Sequence, residues 1–253
     1  MTELAFDNYL NLCTQVYDLS KPNPPDDAYK FYKSYVTSTN GLILEPMCGT
    51  GRFLLPLVAE GFDVQGFDAS KHMLDALHEK AKAKNNKPKV WQDTIEDVQL
   101  SEKYQLIFIP GGSFCLIVDF QQAKQALKKI FHHLSDDGVF VFESITPHWK
   151  APLLNVWTGD VWYRDDGKYI ILNSCTLPDH DNIRHSISRY ELVDGNRIIQ
   201  VEMEDFKVRL YDQDQLYTLL REIGFSEIKI LKAFDRDKPA GSGDEEIVYE
   251  CRK

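Results

Sequence analysis

Three acidic residues in the first half of this chain close short apolar runs: Glu45 after Leu42-Ile43-Leu44, Asp68 after residues 62–67, and Asp93 after residues 89–92. The first is followed by Pro46-Met47-Cys48-Gly49-Thr50-Gly51-Arg52-Phe53, a Gly-x-Gly turn running into an amphipathic segment. A glycine-rich turn lets a ligand approach the backbone, and a helix start behind it offers unpaired N–H groups. Dinucleotides use such a turn when it reads G-x-G-x-x-G/A, with the pyrophosphate on the helix N-terminus. Here Leu54 stands where the third small residue belongs. Glu45 would also repel a pyrophosphate and suits a cationic group instead.

S-adenosylmethionine has that chemistry, carrying an ammonium, a carboxylate and a sulfonium but no phosphate. Asp68 lies about 20 residues beyond the glycine turn, the spacing at which an acid meets ribose hydroxyls, and a carboxylate can accept from both hydroxyls at once. Asp93 is placed to accept from an adenine amino group, with Thr94 or Ile95 bordering the ring. After a fourth apolar run come Pro110-Gly111-Gly112-Ser113, small residues that leave room for a cofactor and a substrate. All four places are the carboxyl ends of successive strands, the edge at which doubly wound sheets bind ligands.

Elements able to hold these residues are legible in the hydrophobic periodicity. The N-terminal stretch 4–16, with Phe6, Tyr9, Leu10, Cys13 and Val16 at helical spacing, predicts a helix. A proline-rich break at 21–25 separates it from a second helix over 27–36. Strands are expected at 41–45, 62–67, 89–92, 104–109 and 138–143. Helices are expected at 52–60, from Ser70 as N-cap, and at 120–134. This βαβ alternation predicts an α/β fold with a doubly wound parallel sheet. From about residue 146 to 210 the pattern changes to aromatic and β-branched runs separated by Asp165-Asp166-Gly167, Asp179-His180-Asp181-Asn182 and Asp194-Gly195-Asn196. These are hairpin signals and predict an inserted antiparallel unit of about four strands. The α/β pattern resumes with a helix over 213–223 and strands at 227–231 and 246–251, the last expected to run antiparallel. The expected organisation is thus one sheet-forming unit, 1–145 with 211–253, interrupted by an insertion, 146–210.

The chain has 253 residues, and its 29 basic against 39 acidic residues give a net charge of −10. A protein that binds nucleic acid through its phosphates needs a basic surface, so nucleic acid is not the expected partner. No apolar run approaches the roughly 20 residues of a membrane span. The five cysteines are scattered, without a C-x-x-C pair. They fit free thiols in a cytoplasmic protein rather than a disulfide framework or a metal site.

The segment from Glu45 through Gly49 and Gly51 resembles the first motif of the class I S-adenosylmethionine-dependent methyltransferases, apolar–Asp/Glu–x–Gly–x–Gly–x–Gly, with Met47 in place of the first glycine. The resemblance covers most of the chain outside the insertion and implies a Rossmann-like, seven-stranded, mostly parallel sheet. It implies that Glu45 lies near the cofactor amino group and that Met47, Gly49 and Gly51 line its methionine side. It also implies that Asp68 holds the ribose, Ala69 or Met73 touches the adenine, and Asp93 and Thr94 meet the adenine end. Pro110 and Gly111 are cofactor-lining candidates from their place after the fourth strand. The insertion is similar to the small antiparallel sheets of bacterial small-molecule N-methyltransferases.

Since it begins just after the fifth strand, on the ligand edge, it is expected either to roof the site or to join two copies in a homodimer. Its aromatics Trp149, Trp157, Trp162, Tyr163 and Tyr169 either line a pocket or form the insertion's own hydrophobic core, and the core is the expected role for most of them. Methyl transfer is an in-line displacement that depends on holding nucleophile and methyl at near-attack distance. A hydroxyl acceptor needs a general base and an amine needs only to be neutral. His148 and Tyr17 are the leading candidates for a base or orienting group, and Glu143 is a third. The expected activity is methylation of a small molecule at N or O. The alternatives are a protein or nucleic-acid methyltransferase, a non-catalytic S-adenosylmethionine-binding protein, and a nicotinamide-dependent oxidoreductase.

Overall fold

In a computed structural model, which describes residues 8–253, the chain builds two sheets. The larger has seven strands: β1 (Ile43–Pro46), β2 (Val64–Asp68), β3 (Lys89–Gln92), β4 (Tyr104–Ile109), β5 (Leu134–Ile145), β10 (Glu227–Lys232) and β11 (Glu246–Arg252). Their spatial order is β10-β11-β5-β4-β1-β2-β3. Neighbours from β3 to β5 pair parallel, and β11 runs antiparallel to both β5 and β10. The Gly/Pro connection between β10 and β11 thus closes a hairpin, as its composition predicts.

Alternation along the central strands splits the core into two faces, because successive side chains of a strand point oppositely. Ile107 and Ile109 of β4 and Phe140 and Phe142 of β5 face α5 (Phe120–His133) and α6 (Gln213–Ile223). Leu106, Phe108 and Val141 face α2 (Asp26–Thr37), α3 (Leu54–Ala59) and α4 (Lys71–Ala83). Ser70 caps α4 by accepting from the Met73 amide at 3.2 Å, and Asp119 and Asp212 cap α5 and α6 in the same way. β5 is longer than the periodicity predicts. It starts at Leu134, directly after α5, because Leu134 pairs with Tyr104 across a register shift in β4.

The four predicted strands of the insertion form a separate antiparallel sheet in the order β6 (Trp157–Tyr163), β7 (Tyr169–Thr176), β8 (Ile183–Asp194) and β9 (Arg197–Arg209). One face packs on α1 (Asn11–Ser20): Ile170, Tyr190 and Leu192 bury Leu12, Cys13 and Val16. The other face exposes Trp157, Val161, Tyr163, Val201 and Met203.

The N-terminal helix departs from expectation. The expected residues 4–7, Phe6 among them, lie outside the described residues. Within the described chain, α1 starts only at Asn11 and runs on to Ser20. Tyr9 cannot belong to it, because its φ is 54° and its amide donates to Glu204 of β9 at 2.7 Å. Among the described residues, no helix is long and apolar enough to cross a membrane.

Candidate functional site

The parallel register places Glu45 beside Gly66, so the ends of β1 and β2 lie level. A Cβ on Gly66 would come within 2.6 Å of Leu54 and 3.0 Å of the Glu45 carbonyl, so glycine there is what lets the β1 turn fold down onto β2. The Cys48 amide then donates to the Phe67 carbonyl at 3.0 Å. Asp68 ties this turn in place: its carboxylate accepts from the Gly49 amide at 2.8 Å and from the Ser70 amide at 2.9 Å. The Asp93 amide donates to the Asp68 carbonyl at 3.1 Å, which carries the same edge across to β3.

A cavity of about 410 Å³ opens over this edge. Glu45, Met47 and Gly49 from the first turn line it, with Asp68, Ala69 and Met73 from the second. Asp93 and Thr94 close the β3 end, and Pro110 and Gly111 the β4 end. Met47 has φ 58°, so the backbone keeps the left-handed turn suited to glycine even though a side chain is present. Tyr17 of α1 forms part of the roof, together with Asn8 and Tyr9.

The charge of this cavity is lopsided. Glu45, Asp68, Asp93, Glu96 and Asp97 line it, against Arg52 as the single lysine or arginine among its described lining residues. Glu45 is 2% exposed, and its Oε2 is buried without a hydrogen-bond partner. Burial, with Asp68 nearby, holds its carboxyl well above the usual carboxylate range. Burial likewise pushes Asp68 up to about 6, against the opposing hydrogen bonds from Ser70 and Gly49. A buried carboxyl with a vacant acceptor is a costly arrangement unless a donor or cation meets it. An ammonium satisfies Glu45, and the cavity as a whole favours a cationic ligand over a polyphosphate.

Residues 43–138 match a family described as "Methyltransferase domain". That stretch is a methyltransferase domain, and the chain as a whole has the fold of S-adenosylmethionine-dependent methyltransferases. The chain is 23% identical over 245 residues to a Geobacillus sp. (strain WCH70) protein provisionally named a methyltransferase, covering 94% of this chain and 96% of that one. Its fold is similar to that of an S-adenosylmethionine-dependent methyltransferase from Clostridium acetobutylicum ATCC 824, with a TM-score of 0.77, 20% identity, and 97% and 99% of the two chains covered. It is also similar to the sugar N-methyltransferase KedS8 from Streptoalloteichus sp. ATCC 53650, with a TM-score of 0.75, 18% identity, and 98% and 96% covered.

Not every expected residue reaches the cavity. Gly51 is absent from its lining. A Cβ there would meet Leu55 at 2.8 Å and Leu77 at 3.0 Å, so Gly51 serves the packing of α3 against α4 instead. His148 is exposed and lines neither this cavity nor its neighbour. The chain leaves β5 by pinning Thr146 to the segment before β11, with its amide on the Glu245 carbonyl and its hydroxyl on the Asp244 carbonyl, and the turn carries His148 outward. Tyr17 is in place but is a poor base, since burial raises its phenol pKa while Arg52 opposes the rise.

The candidate lining aromatics of the insertion are elsewhere too. Trp157 and Tyr163 are exposed, and the Tyr169 ring lies 6.0 Å from that of Tyr163, tilted by 48°. Trp162 packs under α1, and Trp149 lies beneath the Arg184 guanidinium at 4.4 Å. The inserted sheet reaches the site through β9, where Glu204 takes the Tyr9 amide and Glu202 the Leu12 amide, both at 2.7 Å, and through the packing of β9 on the turn at Ser113–Leu116.

Sequence reasoning overlooked Arg52 and Tyr9. Arg52 has a signal that could have been read, since it directly follows the glycine turn. Tyr9 has none, because the bonds that hold its backbone on the site come from Ser70 and Glu204, 61 and 195 positions away.

Proposed function

We propose that this methyltransferase methylates a small-molecule acceptor at nitrogen or oxygen, with its cofactor seated in the larger cavity. The observation that carries the reading is Glu45, a buried carboxyl with an unpartnered oxygen, in a cavity lined by five acids and one arginine. S-adenosylmethionine, when bound, supplies an electrophilic methyl group on a sulfonium. Glu45 would meet its ammonium and Arg52 its carboxylate. Asp68 has lone pairs left for ribose hydroxyls after its two backbone bonds. Met73, Ile95 and Leu116 offer apolar surface for the adenine, while Asp93 and the Thr94 turn border its amino edge.

A small acceptor is supported by the size of the site, a cavity of about 410 Å³. Residues 8–9 and Tyr17 cover the cavity from above, while the net charge of −10 works against a nucleic-acid acceptor. KedS8, a structural neighbour, is named for methylation of a sugar. The division of labour follows: 1–145 with 211–253 holds the cofactor, and 146–210 clamps the N-terminal roof.

Calorimetry with S-adenosylmethionine, S-adenosylhomocysteine and NAD tests the first half of this reading. The two sulfur compounds are expected to bind and NAD is not. NAD binding without either sulfur compound would overturn it. S-adenosylhomocysteine release with a panel of small amines and alcohols then separates an enzyme from a mere binder.

A further inference from the structure

The larger cavity does not end the ligand edge. Arg52, Phe53 and Gly111 are shared with a second cavity of about 160 Å³, which lies on the opposite side of β4 from Glu45, at the carboxyl end of β5. Its remaining walls come from parts of the fold the first cavity does not use: Pro25 and Ala28 at the start of α2, Glu143 to Ile145 of β5, Phe234 between β10 and β11, and Glu246 at the rim. Two carboxylates therefore face one small space whose single lysine or arginine among the described lining residues is the shared Arg52.

Glu143 is only 5% exposed. Its Oε1 accepts from the Tyr32 hydroxyl at 2.8 Å. Phe234 keeps a φ of 62° while packing edge-on against Phe31 at 6.0 Å. A bulky residue in the left-handed region persists only where its surroundings hold it, so this wall of the cavity is firmly set.

We propose that the second cavity receives the methyl acceptor, and that the acceptor presents a primary or secondary amine to Glu143, with Glu246 strengthening the attraction for its cationic form. The proposal rests on the methyl-transfer reading above. An alcohol brings no charge that two carboxylates would stabilise, whereas an ammonium does. The amine enters as an ammonium and gives an N–H proton to the Glu143 carboxylate. Its freed lone pair forms the new N–C bond as the C–S bond breaks, and the bonding pair stays on sulfur, which becomes a neutral thioether.

Burial pushes Glu143 up to about 7, aided by Glu246 and opposed by the Gly111 backbone amide, the Tyr32 hydrogen bond and Arg52. A group with its midpoint near the working pH is well matched to proton transfer. The ionisable groups around it are Tyr32 from α2, Arg52 from the glycine turn, Cys115 from the turn after β4, and Glu246 from β11. Of these, Tyr32 and Cys115 are both pushed up by burial and stay neutral.

The test uses the full chain saturated with S-adenosylhomocysteine. It is titrated with 2-aminoethanol and, in parallel, with ethylene glycol, its uncharged analogue. Calorimetry reports binding, and the carbon-13 shift of the Glu143 carboxyl, assigned by difference from E143Q, reports ionisation. Saturable binding of the amine is expected, with a shift of Glu143 toward the carboxylate and no binding of the glycol. Amine affinity is expected to fall at least tenfold in E143Q and about threefold in E246Q, with S-adenosylhomocysteine affinity within twofold of wild type in both. No amine binding, equal binding of the glycol, or an unchanged amine affinity in both variants would overturn the proposal. If E143Q does not fold, the rim variant E246Q and binding to the wild type decide. Loss of S-adenosylhomocysteine binding by the wild type itself would instead overturn the methyl-transfer reading.

Discussion

The Gly49 amide donates to Asp68 Oδ2 across 2.8 Å, so the carboxylate proposed to hold a ribose also holds down the turn that shapes the cavity. Oδ1 does the same for the Ser70 amide at the start of α4. Hydrogen bonds to a charged group contribute about 1.5–3 kcal/mol each. Asp68→Ala is expected to weaken S-adenosylhomocysteine binding more than tenfold by calorimetry and to lower the melting temperature as well. Asp68→Asn keeps an acceptor and should lose less of both. Wild-type affinity in Asp68→Ala would remove Asp68 from the site.

Stability of the ligand-free protein should carry the sign of these buried acids. A carboxyl whose pKa is higher folded than unfolded keeps its proton longer in the folded state. The unfolded chain therefore ionises first as pH rises, and stability falls. For Asp68 the window runs from 3.8 to about 6, and for Glu143 from 4.5 to about 7. Each spans roughly 3 kcal/mol at 1.36 kcal/mol per unit. In thermal melts, Asp68→Asn should gain on wild type between pH 4 and 6, and Glu143→Gln between pH 4.5 and 7. A gain that shrinks as pH rises would contradict the assigned shifts.

Glu45 gives a different pH signature. Its carboxyl is held above the ordinary range while it lacks a partner, and an ammonium beside it favours the carboxylate. Binding S-adenosylhomocysteine near pH 6 should therefore release a proton. Calorimetric enthalpies in buffers of different ionisation heat will measure that release. Glu45→Gln should bind more weakly and release less. Equal release in both proteins would place the ammonium elsewhere.

The two glycines of the turn should separate by effect. Gly51→Ala drives a Cβ to within 2.8 Å of Leu55 and 3.0 Å of Leu77, and such overpacking costs about 1–3 kcal/mol. Its main result is a lower melting temperature. Both glycines hold a positive φ that strains an alanine, but Gly49→Ala adds only a contact to the Met73 sulfur at 3.9 Å, so it should melt closer to wild type than Gly51→Ala and lose cofactor affinity instead. Similar melting temperatures for the two variants would refute this division.

Glu204→Ala should loosen the roof without unfolding the large sheet. Glu204 accepts from the Tyr9 amide at 2.7 Å and from the Tyr190 hydroxyl at 3.0 Å. Without it, hydrogen exchange over residues 8–20 should quicken and S-adenosylhomocysteine should dissociate faster, while exchange in β4 and β5 stays unchanged. His148→Ala is expected to leave both binding and turnover at the wild-type level.

From the order of residues alone came the α/β sheet, the antiparallel insertion with its three turns, the reversed last strand, and the acids at the ends of β1, β2 and β3. These depend on local signals: apolar alternation, helix caps, and glycines next to acids, all acting over a few residues. Tertiary structure decided what long-range packing controls. Gly51 and Gly49 look alike in the sequence, and only the approach of α3 to α4 turns Gly51 away from the cavity. His148 and Glu143 both sit near the end of β5, yet β11 pairing on that edge sends His148 into solvent and buries Glu143 under Tyr32. Tyr9 became a roof residue through Glu204, 195 positions away, because the charge that fixes its amide lies on another sheet.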